Sequence, residues 1–507
     1  MRPVTMERVE QTREKILSIV CSSVLTHEQK VTELERAAES LIEVIDRPDG
    51  LDGLMESGAI CDLWESNAPP RPRYIVPDYE RLFERGSEFL RLAPPRDLDE
   101  ALNALQIFYR HVPSVTNFPV FIGHLDRLLE PFVLAEGEVS ARKKLALFLR
   151  YVDRTVTDAF CHADIGPEDS LTGRLILACR REEPEAVPNL TLLYDPEVTP
   201  DDFAREAAVT AMTAAGPSFA NHPMFSAEFP GKYSIVSCYN GLPTGGGAYT
   251  LCRLRLGHLA AEAAGTDDFW QKLDRAINIM AAYMQARINF MVGRSNFFQS
   301  NFLAREGFIS EKLFTGMFGL VGLAECVNRV MELSGRTGRF GSSAEADELG
   351  VEIMEHISAF VNGHDAPSCM GRKFMLHGQV GIDSDTGESP AARIPIGEEP
   401  ESFSAHLRHC ALFHKYFPSG VGDIFPLEPT ARQNPDFVLD LVRGAFQTGA
   451  RFLTLHAADS DVIRVTGYLV KRSEMEKLAG GSNVLQNTTA LGLGSAQNAK
   501  ILERKVR

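Results

Sequence analysis

The sequence has little that would mark a secreted, membrane-bound or nucleic-acid-binding protein. Its nine cysteines are spread over 507 residues without a Cys-x-x-Cys pair, which predicts reduced thiols and argues against a structural zinc ribbon. No apolar run is long enough to span a membrane, and the first ten residues are too polar for a signal peptide. The net charge of −16 argues against a general binder of nucleic-acid backbones but is compatible with small anionic substrates. We therefore expect a cytoplasmic protein that binds neither nucleic acid nor a membrane.

The composition is ordinary for a soluble enzyme, with 44% hydrophobic and 24% charged residues. Residues 1–185 predict mainly helices: Thr26–Gln29 has the pattern of a capping box, and Asp78 has that of a helix cap. From about residue 186, strands alternate with capped helices, which is typical of β/α units. We therefore expect a mainly helical region at 1–185 and an α/β unit at 186–507, with a partly irregular tail from residue 478.

The segment 461–470 contains a glycine inside a strand pattern. Val462, Val465 and Leu469 predict strand, and Gly467 interrupts the run. A glycine at such a position marks a hairpin corner, a bulge or a close approach. It also has a Cα from which a hydrogen can be removed without steric hindrance, giving a radical that delocalises into both flanking amides and needs a dry, shielded site. This second interpretation requires a cysteine that exchanges hydrogen with the glycine.

Cys238 is the cysteine that the pattern favours for this exchange. It ends the predicted strand 232–238, and a cysteine at the end of a buried strand is held rigidly, as the near contact of hydrogen-atom transfer demands. The alternative is a buried structural cysteine, and Cys252, in the middle of the next predicted strand, is the second choice for the exchange. The glycine run 245–247 lacks the lysine of a P-loop and suits close backbone approach to a substrate.

Two other clusters of polar side chains contain residue types that can bind metal ions. Cys161, His162 and Asp164 lie too close in sequence to converge on one ion. His406, His409 (or Cys410) and His414 share a helix face, so a metal is possible by spacing alone, but no acidic partner is evident nearby. The sequence therefore predicts no metal ligand set, while the histidine face stays open.

Several motifs resemble those of the glycyl radical enzymes. Arg464, Val465, Gly467 and Tyr468 match the Arg-Val-x-Gly-Tyr motif of the radical loop. A Pro-Asn-x-Thr strand at 188–191 and an Asn-bearing loop at 216–223 precede Cys238, in the order seen in that superfamily. The glycine-bearing loop and the Thr-Leu-x-Arg-Leu stretch within 245–260 look similar to the anaerobic ribonucleotide reductases. Length, motif order and the continuation after Tyr468 look most similar to the YjjI-type glycine radical enzymes.

The resemblance implies a ten-stranded α/β barrel surrounded by helices, inside which a cysteine loop (about 233–250) and a glycyl radical loop (about 461–472) meet. It implies an oxygen-sensitive enzyme in which a Gly467 radical generates a Cys238 thiyl radical. The thiyl radical would abstract hydrogen from a small polar substrate for rearrangement, fragmentation or reduction. No cofactor would be bound permanently, because a separate S-adenosylmethionine/[4Fe-4S] activating enzyme installs the radical. The family's proteins are commonly homodimers.

The resemblance also implies roles for further residues. Arg464 and Tyr468 would support the radical loop. The candidate substrate-binding residues are Asn189, Asn221, His222, Asn240, Thr244, Gly246 and Glu325.

Departures from the relatives leave the reaction unassigned. The formate acetyltransferase branch uses two adjacent cysteines, whereas Ser237 and Tyr239 flank Cys238 here. The dehydratase and lyase branches place a glutamate two residues after the cysteine, where this chain has Asn240. The anaerobic ribonucleotide reductases carry a C-terminal cysteine zinc site, and this chain has no cysteine after Cys410. These differences disfavour acyl transfer, diol dehydration by the known route and ribonucleotide reduction.

Two functions from other classes remain as alternatives. One is a catalytically silent barrel that acts as a binding protein. The other uses Cys238 as a conventional thiol nucleophile, which requires a base such as His222 beside the sulfur.

Overall fold

The computed structural model describes residues 6–39, 44–62, 71–114, 116–229, 231–379 and 388–507. In the first half of the chain the helices are α1 (Met6–Cys21), α2 (His27–Glu39), α3 (Leu51–Glu56), α4 (Tyr79–Arg85), α5 (Leu98–Tyr109), α6 (Leu125–Glu136), α7 (Glu138–Thr155), α8 (Leu171–Glu182), α9 (Asp201–Ala214) and α10 (His222–Ser226). In the second half they are α11 (Leu256–Ala261), α12 (Thr266–Gly293), α13 (Phe297–Ser300), α14 (Phe302–Arg305), α15 (Leu323–Leu333), α16 (Ala344–Gly363), α17 (Phe403–His414), α18 (Pro435–Thr448), α19 (Arg472–Ala479) and α20 (Thr488–Asn498).

From residue 121 onward, most strands are separated by these helices, but two groups of three strands follow one another directly. They are β1 (Ile60–Asp62), β2 (Tyr74–Val76), β3 (Phe121–His124), β4 (His162–Ile165), β5 (Asn189–Tyr194), β6 (Ser218–Asn221), β7 (Tyr233–Val236), β8 (Asn240–Pro243), β9 (Gly246–Arg255), β10 (Phe314–Val321), β11 (Met375–Gly378), β12 (Asp423–Leu427), β13 (Phe452–Ala457), β14 (Val462–Arg464) and β15 (Leu469–Lys471).

Two helix starts follow from the capping residues that the sequence indicates. The Thr26 N–H donates to Gln29 Oε1 at 2.9 Å, and the Gln29 N–H donates to Thr26 Oγ1 at 3.3 Å, which makes a reciprocal capping box before α2. The Asp78 carboxylate accepts from the backbone N–H of Glu80 and begins α4. Both predicted starts are confirmed.

The tail is more regular than its composition predicts. The helix α20 lies within it, and the expectation of a partly irregular end is correct for the segment between α19 and α20 and for the last residues, 504–507. A Cβ at Gly492 would lie 2.8 Å from Val470 Cγ1, so the small residue allows α20 to pack directly against β15. The helix is thus fixed by tertiary packing, which composition alone does not reveal.

The main strands form two sheets. In the six-stranded sheet the order is β12-β13-β6-β5-β4-β3, where β3 to β6 run parallel and β13 pairs with β6 antiparallel. In the five-stranded sheet β9, β10 and β11 run parallel, and β1 and β2 pair antiparallel with β9. Every residue of β5 is buried, as expected for a parallel strand covered on both faces.

Backbone hydrogen bonds join the two sheets along one edge, between β11 and the segment that leads into β12. The Gly378 N–H at the end of β11 donates to the Gly420 carbonyl at 2.9 Å, and the Ser419 N–H donates to the Leu376 carbonyl at 3.2 Å, just before β12. The strands β3 and β4 belong to the same sheet as β5, so this sheet already begins within 1–185. The division of the chain at residue 185 stays a prediction.

Two hairpins, β7–β8 and β14–β15, pair separately from the main sheets. We call Tyr233–Pro243 the cysteine hairpin and Val462–Lys471 the glycine hairpin. A separate apolar cluster surrounds the cysteine hairpin. Its members are Leu193, Ala220, Phe225, Phe229, Tyr233, Ile235, Cys238, Tyr239, Met375 and Phe452.

The nine cysteines are all free thiols. Cys21 is exposed, Cys61 is partly buried, and the other seven are buried. None of the described helices combines the length and the apolar content that crossing a membrane requires.

Candidate active site

Cys238 lies in the tight turn of the cysteine hairpin. The turn consists of Ser237, Cys238 and Tyr239, because Val236 and Asn240 form the last pair of β7 and β8. The Cys238 N–H donates to the Val236 carbonyl at 2.6 Å, and Ser237 has φ of 62°. This is a γ-turn of the rarer kind, in a backbone region that non-glycine residues seldom adopt. Such a conformation persists only where the surroundings hold it.

Buried polar side chains from the barrel wall hold this hairpin. His162 Nδ1 lies 2.9 Å from the Ser237 carbonyl oxygen, which can only accept, so Nδ1 carries the hydrogen. Nε2 of the same ring then accepts from the Thr191 hydroxyl at 3.1 Å. The Asp164 carboxylate accepts from the Ile235 N–H at 2.8 Å. Two members of the 161–164 cluster therefore position the cysteine hairpin, a role that their sequence pattern did not indicate.

The sulfur of Cys238 is oriented within the turn. Asn240 Oδ1 lies 3.7 Å from Sγ and accepts its hydrogen, while Asn240 Nδ2 donates to the Val236 carbonyl at 3.0 Å. Cys238 is 3% exposed. The side chain of Asn240 thus joins the reactive end of the turn to its base.

Gly467 lies at the tip of the glycine hairpin. The Val465 N–H donates to the Tyr468 carbonyl at 3.0 Å, so Thr466 and Gly467 make the turn between β14 and β15. All four residues are buried. The strand–glycine–strand pattern therefore forms a hairpin whose corner is shielded from solvent, which the radical interpretation requires and the simple hairpin interpretation does not.

Two arginines fix the backbone of this tip. Arg464 donates to the Gly467 carbonyl at 3.2 Å and to Asn189 Oδ1 at 3.0 Å. Arg504 donates to the carbonyls of Arg464 and Val465, at 3.1 and 2.6 Å. Of these, Arg464 and Asn189 were predicted from the sequence, whereas Arg504 stands in a polar tail that gave no signal.

Tyr468 anchors the other side of the tip. Its ring lies 5.0 Å from that of Phe160, and its hydroxyl lies 3.4 Å from Ser495 Oγ of α20. The role of Tyr468 in supporting the radical loop stays a prediction, and these two contacts are compatible with it.

The two turns interact electrostatically through Arg464. Burial is the main cause that lowers the pKa of Arg464 to about 10, so its guanidinium is charged at neutral pH, and interaction with Cys238 opposes the shift. Burial raises the pKa of the Cys238 thiol, and the charges of Arg464, Arg73 and Arg393 oppose that shift in part. The side chain that bonds to Gly467 therefore also acts on Cys238, although 229 residues separate the two in sequence (467 − 238).

The raised pKa of Cys238 favours hydrogen-atom transfer over nucleophilic attack or metal binding. A nucleophilic or metal-binding cysteine needs its thiolate, and its pKa is usually lowered. A hydrogen-atom donor needs an intact S–H bond, which burial of Cys238 preserves. His222, the base that the nucleophile alternative requires, is engaged elsewhere: its Nδ1 lies 2.8 Å from the Tyr233 hydroxyl, and the two rings stack.

Three other predicted substrate-binding residues lie away from the cysteine turn. Asn221 caps α10 by accepting from the Met224 N–H, and it donates to the Ala450 carbonyl. Thr244 bonds to Ser234 at the open end of the cysteine hairpin, through hydroxyls 2.8 Å apart. A Cβ at Gly246 would lie 2.1 Å from the Leu313 carbonyl oxygen, so this glycine allows close packing of β9. These contacts are structural, and roles in substrate binding stay predictions.

Cys252, the second choice for hydrogen exchange, lies in the middle of β9. It is paired with Asp62 of β1 and Phe318 of β10, and its sulfur lies 3.7 Å from the Thr250 hydroxyl. Its position within the main core distinguishes it from Cys238.

The histidines predicted to share one face of α17 each contact a different partner. His409 Nε2 lies 3.2 Å from Asp347, and His414 Nδ1 accepts from the Arg451 N–H at 3.0 Å. The expectation that no acidic partner lies nearby is wrong, because β12 brings Asp423 against the helix.

Asp423 completes a group of potential ligand atoms with His406 and Cys410, all within 4.8 Å of one another. Its Oδ2 accepts from both: His406 Nε2 at 3.2 Å and Cys410 Sγ at 3.3 Å. His406 Nδ1 lies 3.1 Å from the Arg507 guanidinium, which can only donate, so Nδ1 is the acceptor and Nε2 carries the hydrogen. A cation on Nε2 would displace that hydrogen and break this arrangement, so hydrogen bonding accounts for the group.

Glu325 lies in the first turn of α15, and Ser389 binds it with both its N–H and its hydroxyl at 2.8 Å. Burial raises the pKa of Glu325. Near it is Arg393, which the sequence analysis missed: its guanidinium lies 5.9 Å from the centre of the Tyr239 ring, beside Cys238. The local sequence Ala-Ala-Arg-Ile-Pro contains no motif that would have indicated it.

The fold of this chain is similar to the folds of several enzymes of known structure. The anaerobic ribonucleotide reductase from Thermotoga maritima in complex with dATP and CTP matches with a TM-score of 0.71 at 12% identity, covering 94% of this chain and 100% of that one. The hydroxyproline dehydratase from Clostridioides difficile, with trans-4-hydroxy-L-proline bound, matches with a TM-score of 0.67 at 12% identity, covering 94% and 88%. The predicted barrel is therefore the glycyl radical enzyme barrel.

The family follows from the sequence as a whole. The model "Glycyl radical enzyme YjjI-like" matches residues 25–507, and the chain belongs to this family. Its relatives include an uncharacterized protein of Haemophilus influenzae, 43% identical over 503 residues, which are 97% of each chain. They also include the uncharacterized protein YjjI of Escherichia coli K12, 43% identical over 500 residues, which are 98% of this chain and 96% of that one. The resemblance drawn from Arg464 to Tyr468 is thereby confirmed.

Proposed function

We propose that this enzyme stores a radical on Gly467 and uses it to oxidise Cys238 to a thiyl radical. In the first step the Cys238 S–H bond breaks, and its hydrogen atom moves to the Gly467 Cα. In the second step the thiyl radical takes a hydrogen atom from a C–H bond of a small polar substrate, and the S–H bond forms again. After the substrate radical has reacted, the product radical recovers the hydrogen from Cys238, and Cys238 from Gly467.

The observation that carries the proposal is the pairing of a buried glycine corner with a buried, protonated thiol through one side chain. Arg464 donates to the Gly467 carbonyl and its charge acts on Cys238. The protein's contribution to such chemistry is positioning and exclusion of solvent. The burial of Gly467 and Cys238 supports both.

Rearrangement and fragmentation balance in hydrogen atoms and electrons without any further reactant. Reduction would need a separate electron donor. The similar solved structures include both reductases and dehydratases, so the fold does not choose between reaction types. We infer a redox-neutral lyase or mutase rather than a reductase, because such a reaction needs no further reactant once the radical is installed.

The proposal includes a separate S-adenosylmethionine/[4Fe-4S] activating enzyme, sensitivity to oxygen, a cytoplasmic location and a homodimer. The activating enzyme follows from chemistry, because no described side chain abstracts hydrogen from an unactivated Cα–H bond. An external oxidant must therefore start the cycle. Sensitivity follows because oxygen adds to carbon radicals.

The test is electron paramagnetic resonance after anaerobic incubation with a radical S-adenosylmethionine activating enzyme. We expect a doublet from the remaining Cα hydrogen of Gly467, and chain cleavage at this residue on exposure to air. Gly467→Ala should lose both, whereas Gly293→Ala, at the exposed end of α12, should keep both.

The same signal tests Cys238 without knowledge of the substrate. Thiol hydrogens exchange with solvent, so in D₂O repeated transfer between Cys238 and Gly467 should replace the Cα hydrogen by deuterium and collapse the doublet. Cys238→Ser should keep the doublet in D₂O, and Cys252→Ser should lose it as the wild type does. Retention of the splitting in wild-type protein, or its loss in Cys238→Ser, would contradict the assignment of Cys238.

A further inference from the structure

The Pro-Asn-x-Thr segment at 188–191 places two polar side chains at the start of β5. Asn189 and Thr191 are two residues apart in a strand, so their side chains leave the same face of the sheet, roughly 6–7 Å apart. Both residues are fully buried. Each bonds to a side chain that in turn holds one of the two hairpins of the candidate active site.

Asn189 is connected to the glycine hairpin. Its Nδ2 donates to the Ala159 carbonyl, which orients the amide so that Oδ1 accepts from Arg464 at 3.0 Å. The same guanidinium donates to the Gly467 carbonyl at 3.2 Å. Two hydrogen bonds and one side chain therefore connect β5 to the backbone of Gly467.

Thr191 is connected to the cysteine hairpin in the same way. Its hydroxyl donates to His162 Nε2 at 3.1 Å, and His162 Nδ1 donates to the carbonyl of Ser237, the residue before Cys238, at 2.9 Å. Burial, and then the charge of Arg464, lowers the pKa of His162 well below its usual range, so the ring is neutral. A neutral ring carries one hydrogen, and a donor at Nε2 keeps that hydrogen on Nδ1. The Thr191 hydroxyl therefore fixes the tautomer that holds the cysteine turn.

The strand β5 can keep these two attachments at a constant separation. It lies inside the six-stranded sheet and pairs in parallel with β4 on one side and with β6 on the other. His162 of β4 is the register partner of Asn189, so both attachments start from neighbouring positions of the same sheet. Groups on paired strands are held more precisely than groups on loops. Short chains of hydrogen bonds from one rigid element thus reach both turns.

We propose that Asn189 and Thr191 are positioning residues that together set the separation between Cys238 Sγ and Gly467 Cα. Each acts through a second side chain rather than on the reacting atoms. Hydrogen-atom transfer needs near contact, and a misplacement of about 1 Å can slow a reaction about a hundredfold. This role deepens the proposed radical function and rests on it, whereas the attachment of the two hairpins to β5 does not.

The test measures how fast hydrogen passes between the two turns. The protein is equilibrated in D₂O until Cys238 carries deuterium, activated in D₂O, and frozen at intervals for electron paramagnetic resonance. Collapse of the Gly467 doublet then reports the transfer. We expect Thr191→Val to slow the collapse about tenfold or more at an unchanged spin count, and Thr191→Ser, which keeps the hydroxyl, to stay within about twofold of wild type.

Thr454→Val is the matched control, because Thr454 is a buried threonine of the same sheet whose hydroxyl lies 2.9 Å from that of Ser218. It should collapse as fast as wild type. Thr191→Ala also removes the hydroxyl and serves if Thr191→Val does not fold.

A second measurement tests the attachments in unactivated protein. Hydrogen–deuterium exchange, followed by mass spectrometry, should rise about threefold or more in peptide 233–243 for Thr191→Val and in peptide 462–471 for Asn189→Ala. Thr454→Val should change neither peptide.

Three results would each overturn the inference: collapse in Thr191→Val as fast as in wild type, equal slowing by Thr454→Val, or unchanged amide exchange of 233–243 in Thr191→Val. A wild-type protein without any doublet would overturn the proposed function alone. The amide exchange would then still decide whether β5 holds the two hairpins.

Discussion

At the residue scale, the state of Cys238 depends on a balance between burial and nearby cations. Burial raises the pKa of its thiol, and a hydrogen bond from the Tyr239 N–H together with the charges of Arg464, Arg73 and Arg393 opposes the shift without reversing it. The result is an oriented S–H group that donates to Asn240 Oδ1. Thiol nucleophiles have the opposite balance, in which cations prevail and the thiolate forms.

A residue-scale prediction concerns Asn189, which accepts from Arg464 Nη2. Asn189→Ala removes one of the groups that hold Arg464, so the glycine hairpin should become more mobile. We expect faster hydrogen–deuterium exchange in the peptide 462–471, measured by mass spectrometry, and a loss of about 1–3 kcal/mol of unfolding free energy. Asn328→Ala, which removes a buried acceptor of the Phe340 N–H, is the matched control. If both variants change exchange in 462–471 equally, Asn189 does not hold this hairpin specifically.

At the scale of the element, the cysteine hairpin is held by backbone as much as by side chains. The segment before β12 passes so close to it that a Cβ at Gly420 would lie 2.0 Å from the Tyr239 carbonyl oxygen. Gly420 also has φ of 122°, which side chains disfavour. The Gly241 N–H donates to the Ser419 carbonyl at 2.9 Å in the same place. The turn that carries Cys238 thus packs directly against the backbone of residues 419–420.

The corresponding prediction compares two glycines. Gly420→Ala should lower the free energy of unfolding by at least about 2 kcal/mol, because it adds both strain and a clash. Gly231→Ala, where a Cβ meets nothing within 4 Å, should change it by less than about 0.5 kcal/mol. Urea denaturation followed by circular dichroism measures both. Equal stability of the two variants would show that the segment moves away from Tyr239 freely.

The elements themselves were predictable to different degrees. The helix starts predicted at Thr26 and Asp78 are those of α2 and α4, and the strand expected at 188–191 falls in β5 from Asn189 onward, because each has a local pattern of its own. The strands β3 and β4 were missed, since each is a four-residue segment buried on both faces and shows no alternation. A division at residue 185 drawn from periodicity alone therefore leaves part of one sheet in the region expected to be helical.

At the scale of the whole molecule, the candidate site depends on contacts between distant parts of the chain. The sequence indicated Gly467, Cys238, Arg464 and Asn189 through motifs. It did not indicate His162, Arg393 or Arg504, whose importance arises from what they touch. The bond from Arg464 to Asn189, for example, spans 275 residues. Sequence motifs indicate residues whose own chemistry is distinctive. Residues that position other residues are recognised only once the fold shows which groups they contact.

A prediction at this scale concerns acid stability. Burial lowers the pKa of four histidines, His124, His377, His414 and His456, to about 3 each. Each is neutral in the folded protein and would gain a proton in the unfolded chain below its ordinary pKa of about 6.5. Their contribution to stability is therefore complete above pH 6.5 and is lost as pH falls from 6.5 towards 3.

The experiment measures the free energy of unfolding against pH between 6.5 and 4.5. His456→Leu should reduce the slope by about 1.4 kcal/mol per pH unit, which corresponds to one proton. His27→Leu, at an exposed position in α2, should leave the slope unchanged. An unchanged slope in His456→Leu would mean that His456 is protonated in the folded protein.

The distribution of thiols has a practical consequence for labelling chemistry. Maleimides and iodoacetamide react with accessible thiolates, and Cys21 on α1 is the exposed one among the nine cysteines. A dye or spin label should therefore attach at Cys21 in the folded protein while Cys238 stays unmodified. Loss of activity under brief alkylation would then report damage at α1 or unfolding, and survival of activity would not argue against Cys238. Cys61, which is partly buried, should react more slowly, so brief labelling of the native chain should favour Cys21 without any engineered cysteine.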